Sequence, residues 1–192
     1  GGLRFSGGDD ATVGRCIIDV CGMDDHAFRP GGLQRRNEFA VAQKRAVGTA
    51  LRRIFAASTD VNTTDRVRFD SNNHPPRKFS AAGRRLDSDA ALGGTDGIAE
   101  DFIFHIHSAD FLWSAAQLKY YNNGTLVSTL DPFLTAGNTS DTDSAAIALG
   151  GHTDSSAFSD YDIAEIVIYN VSLSTANRQS VETFLNSRWA VY

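Results

Sequence analysis

Three carboxylates fall within six residues at Asp160-x-Asp162-x-x-Glu165, and two imidazoles fall two apart at His105-x-His107. Paired carboxylates can hydrolyse a glycosidic bond, one acting as nucleophile or base and the other as acid. Residues two apart on a strand share a face, so Asp160 and Asp162 would stand together, whereas Glu165 would join them only through a bulge. The two histidines also share a face, but two imidazoles do not complete a metal site, and Phe111 and Leu112 stand where a third, acidic ligand would be wanted. Hydrogen-bonded or solvent-facing histidines are the expectation. Trp113 and Tyr120 join His105 and His107 as the residues expected to line any ligand face. Asp141, Asp143 and Asp154 lie in stretches rich in Gly, Thr and Ser and are the calcium candidates. Calcium takes about six to eight oxygens, and the chain has no Asp-x-Asp-x-Asp-Gly loop to supply them. There is no phosphate loop, no Gly-x-Ser-x-Gly elbow and no dinucleotide fingerprint. The expectation is therefore no catalytic residue, no metal and no organic cofactor.

These residues need a scaffold, and the composition says which kind. The chain has 192 residues, 42% hydrophobic and 21% charged, with 17 glycines, four prolines and a net charge of −5. That fits one globular domain over residues 1–192 and excludes a disordered or collagen-like chain. The longest apolar run is Ala145 to Leu149, far short of the ~20 residues of a spanning helix, so no membrane insertion is expected. The chain opens Gly1, Gly2, Leu3 without methionine and reads as a processed form or a segment of something longer. Cys16 and Cys21, if the segment between them is extended, stand roughly 16 Å apart, too far to bond, and are expected as buried thiols. Residues 1–86 carry a net +6 and residues 87–192 a net −11. The run Arg35, Arg36, Lys44, Arg45, Arg52, Arg53 lacks every nucleic-acid motif and reads as a solvated face.

Short alternating segments ended by Gly, Asn, Asp or Ser predict an all-β sandwich. Phe39 and Val41 alternate with alanines, Val67 and Phe69 with charged residues, and Phe102, Phe104 and Ile106 with Ile103, His105 and His107. Leu118 to Tyr121, the turn Asn122-Asn123-Gly124 and Thr125 to Leu130 predict a hairpin, since Asn-Gly accepts the positive φ of a type I′ turn. Gly48 and β-branched or aromatic flanks favour strands over a helix across residues 40–57. The convincing helix is C-terminal, capped by Ser174, with Val181, Phe184, Leu185 and Trp189 as its apolar stripe.

Leu3-Arg4-Phe5-Ser6-Gly7-Gly8-Asp9-Asp10, the Leu118 to Val127 hairpin, and Phe158 to Asn170 followed by Leu173-Ser174 together resemble LamG-like, concanavalin A-like domains. That resemblance implies a two-sheet antiparallel jelly roll, with Leu3 to Phe5 and Asp162 to Tyr169 in strands, and makes Asp160, Asp162, Glu165 and Tyr169 a structural signature. A buried Glu165 would be tolerated only by accepting hydrogen bonds from a neighbouring loop or helix. The acidic triplet also resembles the Glu-x-Asp-x-x-Glu of retaining glycosidases on the same sandwich, but Asp160 replaces the nucleophilic Glu and only 27 residues follow Glu165. The resemblance implies a non-catalytic exterior module, extracellular or on a virion surface as a tail, fibre or head-decoration protein. Its partners would be other copies of itself, other virion proteins or a cell-surface glycan, with no nucleic acid. The alternatives are a carbohydrate-binding module of a secreted bacterial protein and a glycoside hydrolase.

Overall fold

A computed structural model describes residues 17–21, 35–44, 52–58, 65–71, 78–86, 93–95, 97–133, 136–137, 146–151, 161–169 and 171–192. Alternation of side chains across each strand leads to eleven strands here: β1 (Ile17–Cys21), β2 (Arg35–Lys44), β3 (Arg52–Ser58), β4 (Asp65–Ser71), β5 (Phe79–Gly83), β6 (Gly93–Gly94), β7 (His105–Leu112), β8 (Gln117–Asn122), β9 (Thr125–Leu130), β10 (Ala146–Leu149) and β11 (Tyr161–Tyr169). One helix, α1 (Thr175–Trp189), closes the chain. The expected strand at Leu3 to Phe5, and Cys16, lie outside the described residues.

The strands form two sheets of a concanavalin-like jelly roll, one of six strands in the order β1-β11-β2-β7-β8-β9 and one of five in the order β10-β3-β4-β5-β6. Pairing is antiparallel except that β1 runs parallel to β11. Between the sheets lie Phe55, Phe69, Phe79, Phe111, Trp113, Tyr120, Phe133 and Ile166. The alternate side chains of the six-stranded sheet, Phe39, Val41, Ile106 and Val167, pack with Leu185 of α1. The fold is thus three layers, sheet, sheet and helix, with two apolar seams.

Local chemistry explains the joints. Asn123 and Gly124 have φ of 48° and 77°, as the β8–β9 turn requires. Ser174 Oγ accepts from the Asn177 amide at 3.2 Å and starts α1. The expected helix stripe is corrected in one place: Leu185 is buried, but Phe184 is 52% exposed, and Arg178 and Glu182 are buried instead. The sheet under that turn of helix presents Ser108 and Asp110, so the buried stripe is partly polar. The strand at the end of the loop 95–104 begins at His105, not Phe102. Phe102 and Ile103 stand exposed.

Candidate functional site

The register of β11 slips between Ile163 and Glu165. Ile163, Ile166 and Ile168 therefore all point between the sheets, and Glu165, paired with Val41, faces the helix. Asp162 pairs with Gln43 on the same face, so the bulge does bring the two carboxylates to one side. Glu165 is 1% exposed. Its Oε2 accepts from Trp189 Nε1 at 2.6 Å, with Arg188 Nε at 3.4 Å. Beside it, Glu182 accepts twice from Arg178 Nη1, at 2.6 and 2.5 Å, and from Ser108 Oγ at 2.7 Å. The Arg178 guanidinium lies 3.8 Å from the centroid of Tyr121. Glu165 and Glu182 are each held by donors on or under α1, and both are buried beneath the helix. Asp160, like the calcium candidates Asp141, Asp143 and Asp154, lies outside the described residues. Among the described residues no group of three or more His, Cys, Asp or Glu could hold a metal ion.

The expected ligand face is corrected by burial. His105, His107, Trp113 and Tyr120 are 5%, 1%, 4% and 0% exposed. His105, His107 and Tyr120 point inward because their parity on β7 and β8 matches that of Phe111 and Leu118, and Trp113, just past the end of β7, stacks on Phe111 with centroids 5.4 Å apart. His107 Nδ1 meets Tyr120 Oη at 2.6 Å, and its ring sits 4.5 Å from that of Phe79. Burial, and then the neighbouring His105, hold the His107 imidazole down to about 3. Burial, and then Tyr161, push the Tyr120 hydroxyl well above its usual range. His105 Nε2 meets Asp101 Oδ1 at 2.7 Å, so both imidazoles are tied to neighbouring polar side chains.

The solvated basic face also needs correction. Lys44 is 1% exposed and paired with Glu100, and Arg53 is 8% exposed. On the outer face of the five-stranded sheet, Arg53, Asp70 and Ser80 are ladder partners. Ser80 Oγ donates to Asp70, and Arg68 pairs with the same carboxylate. This face is polar, yet Arg53, Asp70, Ser80 and Arg84 are all under a tenth exposed, so those groups tie the sheet together.

Openness is found instead at the loop leading into β7. Phe102 and Ile103 are 51% and 59% exposed, and Asp101 keeps 44% of its side chain exposed. Alternation placed these residues in a strand. The signal that they belong to a rim is the flanking pair of acids, Glu100 and Asp101, which a half-buried strand would not start with.

No protein-family model and no curated protein matches the chain. Solved structures with the same fold include a heptameric SAP-like pentraxin from Limulus polyphemus, at 9% identity and a TM-score of 0.60, covering 84% of this chain and 78% of that one. The CBM40 of the Ruminococcus gnavus IT-sialidase aligns at 15% identity and a TM-score of 0.57, covering 79% and 84%. The binding domain of Botulinum neurotoxin DC, in complex with SialylT, aligns at 12% identity and a TM-score of 0.57, covering 80% of this chain but 36% of that one. At these identities the likeness establishes the fold.

Proposed function

We propose that the chain is a non-catalytic recognition module displayed on an exterior surface, foremost that of a virion, and that it takes a cell-surface glycan as ligand. The observation that carries this reading is the burial of Glu165 beneath α1, hydrogen-bonded to Trp189. A glycosidase acid must reach the leaving oxygen, and its partner must reach the opposite side of the scissile bond. Here the helix covers Glu165, the carboxylate at the acid's position in the motif. The virion setting rests on the resemblance of three stretches, at the two chain ends and in the Leu118 to Val127 hairpin, to LamG-like domains, and it implies other copies of the chain or other virion proteins as neighbours. A secreted bacterial carbohydrate-binding module is the alternative setting with the same ligand class. In support, a CBM40 on this fold is bound to sialyllactose.

The test pairs binding with turnover. The 192-residue chain is applied to a printed array of neutral and sialylated oligosaccharides, and in parallel is incubated with β-glucans and assayed for reducing ends. Binding without hydrolysis is the expected result. Hydrolysis above background would overturn the non-catalytic reading, and an empty array would overturn the glycan.

A further inference from the structure

We infer that the rim Asp101-Phe102-Ile103 is the sugar-contacting site of this module, and that it selects neutral rather than acidic glycans. The inference rests on the glycan reading above and adds to it the site and the ligand class.

Two adjacent apolar side chains more than half exposed are unfavourable unless something covers them, and a loose loop could fold them inward. This loop is not loose. Gly97 is packed so closely that a Cβ there would stand 2.1 Å from the Phe79 carbonyl oxygen and 2.8 Å from Tyr120 Cε1. The Phe79 amide donates to the Ile98 carbonyl at 2.9 Å, and Lys78 bridges to Ala99. Glu100 is paired with the buried Lys44. Gln43 Nε2 donates to the Phe102 carbonyl at 2.6 Å, and the Ile103 amide donates to Asp101 Oδ1 at 3.3 Å. Every residue from Gly97 to Ile103 is therefore tied to a strand or to a neighbour in the loop, and the apolar pair is held out on a fixed mount. Fixing the contact residues beforehand lowers the ordering cost of binding.

The chemistry beside the pair selects the ligand. An exposed ring offers a negative π face, which suits the outward C–H groups on one side of a pyranose. Asp101 spends Oδ1 on both His105 and the Ile103 amide, which leaves Oδ2 on a 44% exposed side chain to accept from a sugar hydroxyl. His105 Nε2 braces that carboxylate from behind at 2.7 Å, and the ring is itself met at Nδ1 by Asn123 Nδ2 at 3.5 Å, so its position is fixed. Glu100 is neutralised by Lys44, so Asp101 sets the sign of the rim. A ligand carboxylate would meet like charge there, while a neutral hexose would meet only an acceptor. Among the described residues, the exposed ring of Phe184 has a cation beside it instead, with the Arg188 guanidinium 5.9 Å from its centroid.

The experiment uses the same array with wild type, F102A and F102W, followed by calorimetric titration of the strongest oligosaccharide and by sedimentation of each variant. Wild type should bind neutral glycans in preference to sialylated ones. F102A should lose about tenfold in affinity, the order expected for one aromatic contact, with an unchanged melting temperature because the side chain is exposed. F102W should retain binding. If wild type binds glycans and F102A binds them equally, the site is wrong and the glycan reading stands. Preference for sialylated ligands overturns the class. An empty array overturns both, and loss of self-association in F102A would make the rim a contact between copies instead.

Discussion

Replacing His107 with Phe removes an imidazole sealed between the two sheets, and the consequence should be read in the pH dependence of stability. In the folded chain burial holds this group down to about 3 from an ordinary value of 6.5. Between those two values the unfolded chain binds more protons than the folded one, so the contribution is fully present above pH 6.5 and is lost as pH falls towards 3. A tenfold difference in proton affinity between the folded and unfolded chain corresponds to ~1.4 kcal/mol, so His107 alone should cost the wild type ~3 kcal/mol at pH 4.5 and ~4 kcal/mol near pH 3. That is a large share of a stability of about 5–15 kcal/mol. H107F keeps a ring against Phe69 and Phe79 and has no such titration. It does leave the Tyr120 hydroxyl without its 2.6 Å partner, at a cost of about 1–3 kcal/mol. Urea midpoints measured from pH 7.5 to 4.5 should therefore show the variant weaker at neutral pH, level with wild type near about pH 5, and no weaker below it. Acids elsewhere titrate in both proteins and cancel in the comparison. Two lines that stay parallel across the whole range would refute the neutral, buried imidazole.

Two further substitutions test the layer between sheet and helix. R178A leaves Glu182, 1% exposed, as a buried carboxylate without its guanidinium, and should cost about 3–5 kcal/mol in chemical denaturation; R178A/E182Q, which removes the stranded charge, should recover part of that loss. E165Q weakens the bond from Trp189 Nε1 from a charge-assisted to a neutral one and should lower stability by about 1–2 kcal/mol. An unchanged melt together with the loss of a measurable glycosidase rate would return Glu165 to catalysis.

The parts of this protein legible in its sequence are those set by residues close together in the chain. Period-two alternation around Phe39, Val67 and Phe69, the positive-φ pair Asn123-Gly124, and Ser174 ahead of an apolar helix each act through neighbours a few residues away. They predict strands, hairpin and helix without knowledge of what packs on them, and the end-to-end resemblance adds the sandwich. What covers each face is a property of contacts between distant segments. His105 and His107 alternate in the same way whether their face is wet or dry; only pairing of β7 between β2 and β8, with the five-stranded sheet across from it, seals them. The slip at Ile163/Glu165 turns one carboxylate towards a helix that the sequence places 24 residues away in the Glu165–Trp189 contact. Arg178 and Glu182 stand at i,i+4 spacing on α1, and it is Ser108 and Tyr121 beneath them that make the pair part of the interior. Phe102 and Ile103 look like strand core until Gln43, Lys44 and Phe79 fix the loop that holds them outward. Local pattern determined the elements, and tertiary packing decided which of their polar groups became structure and which apolar residues were left exposed.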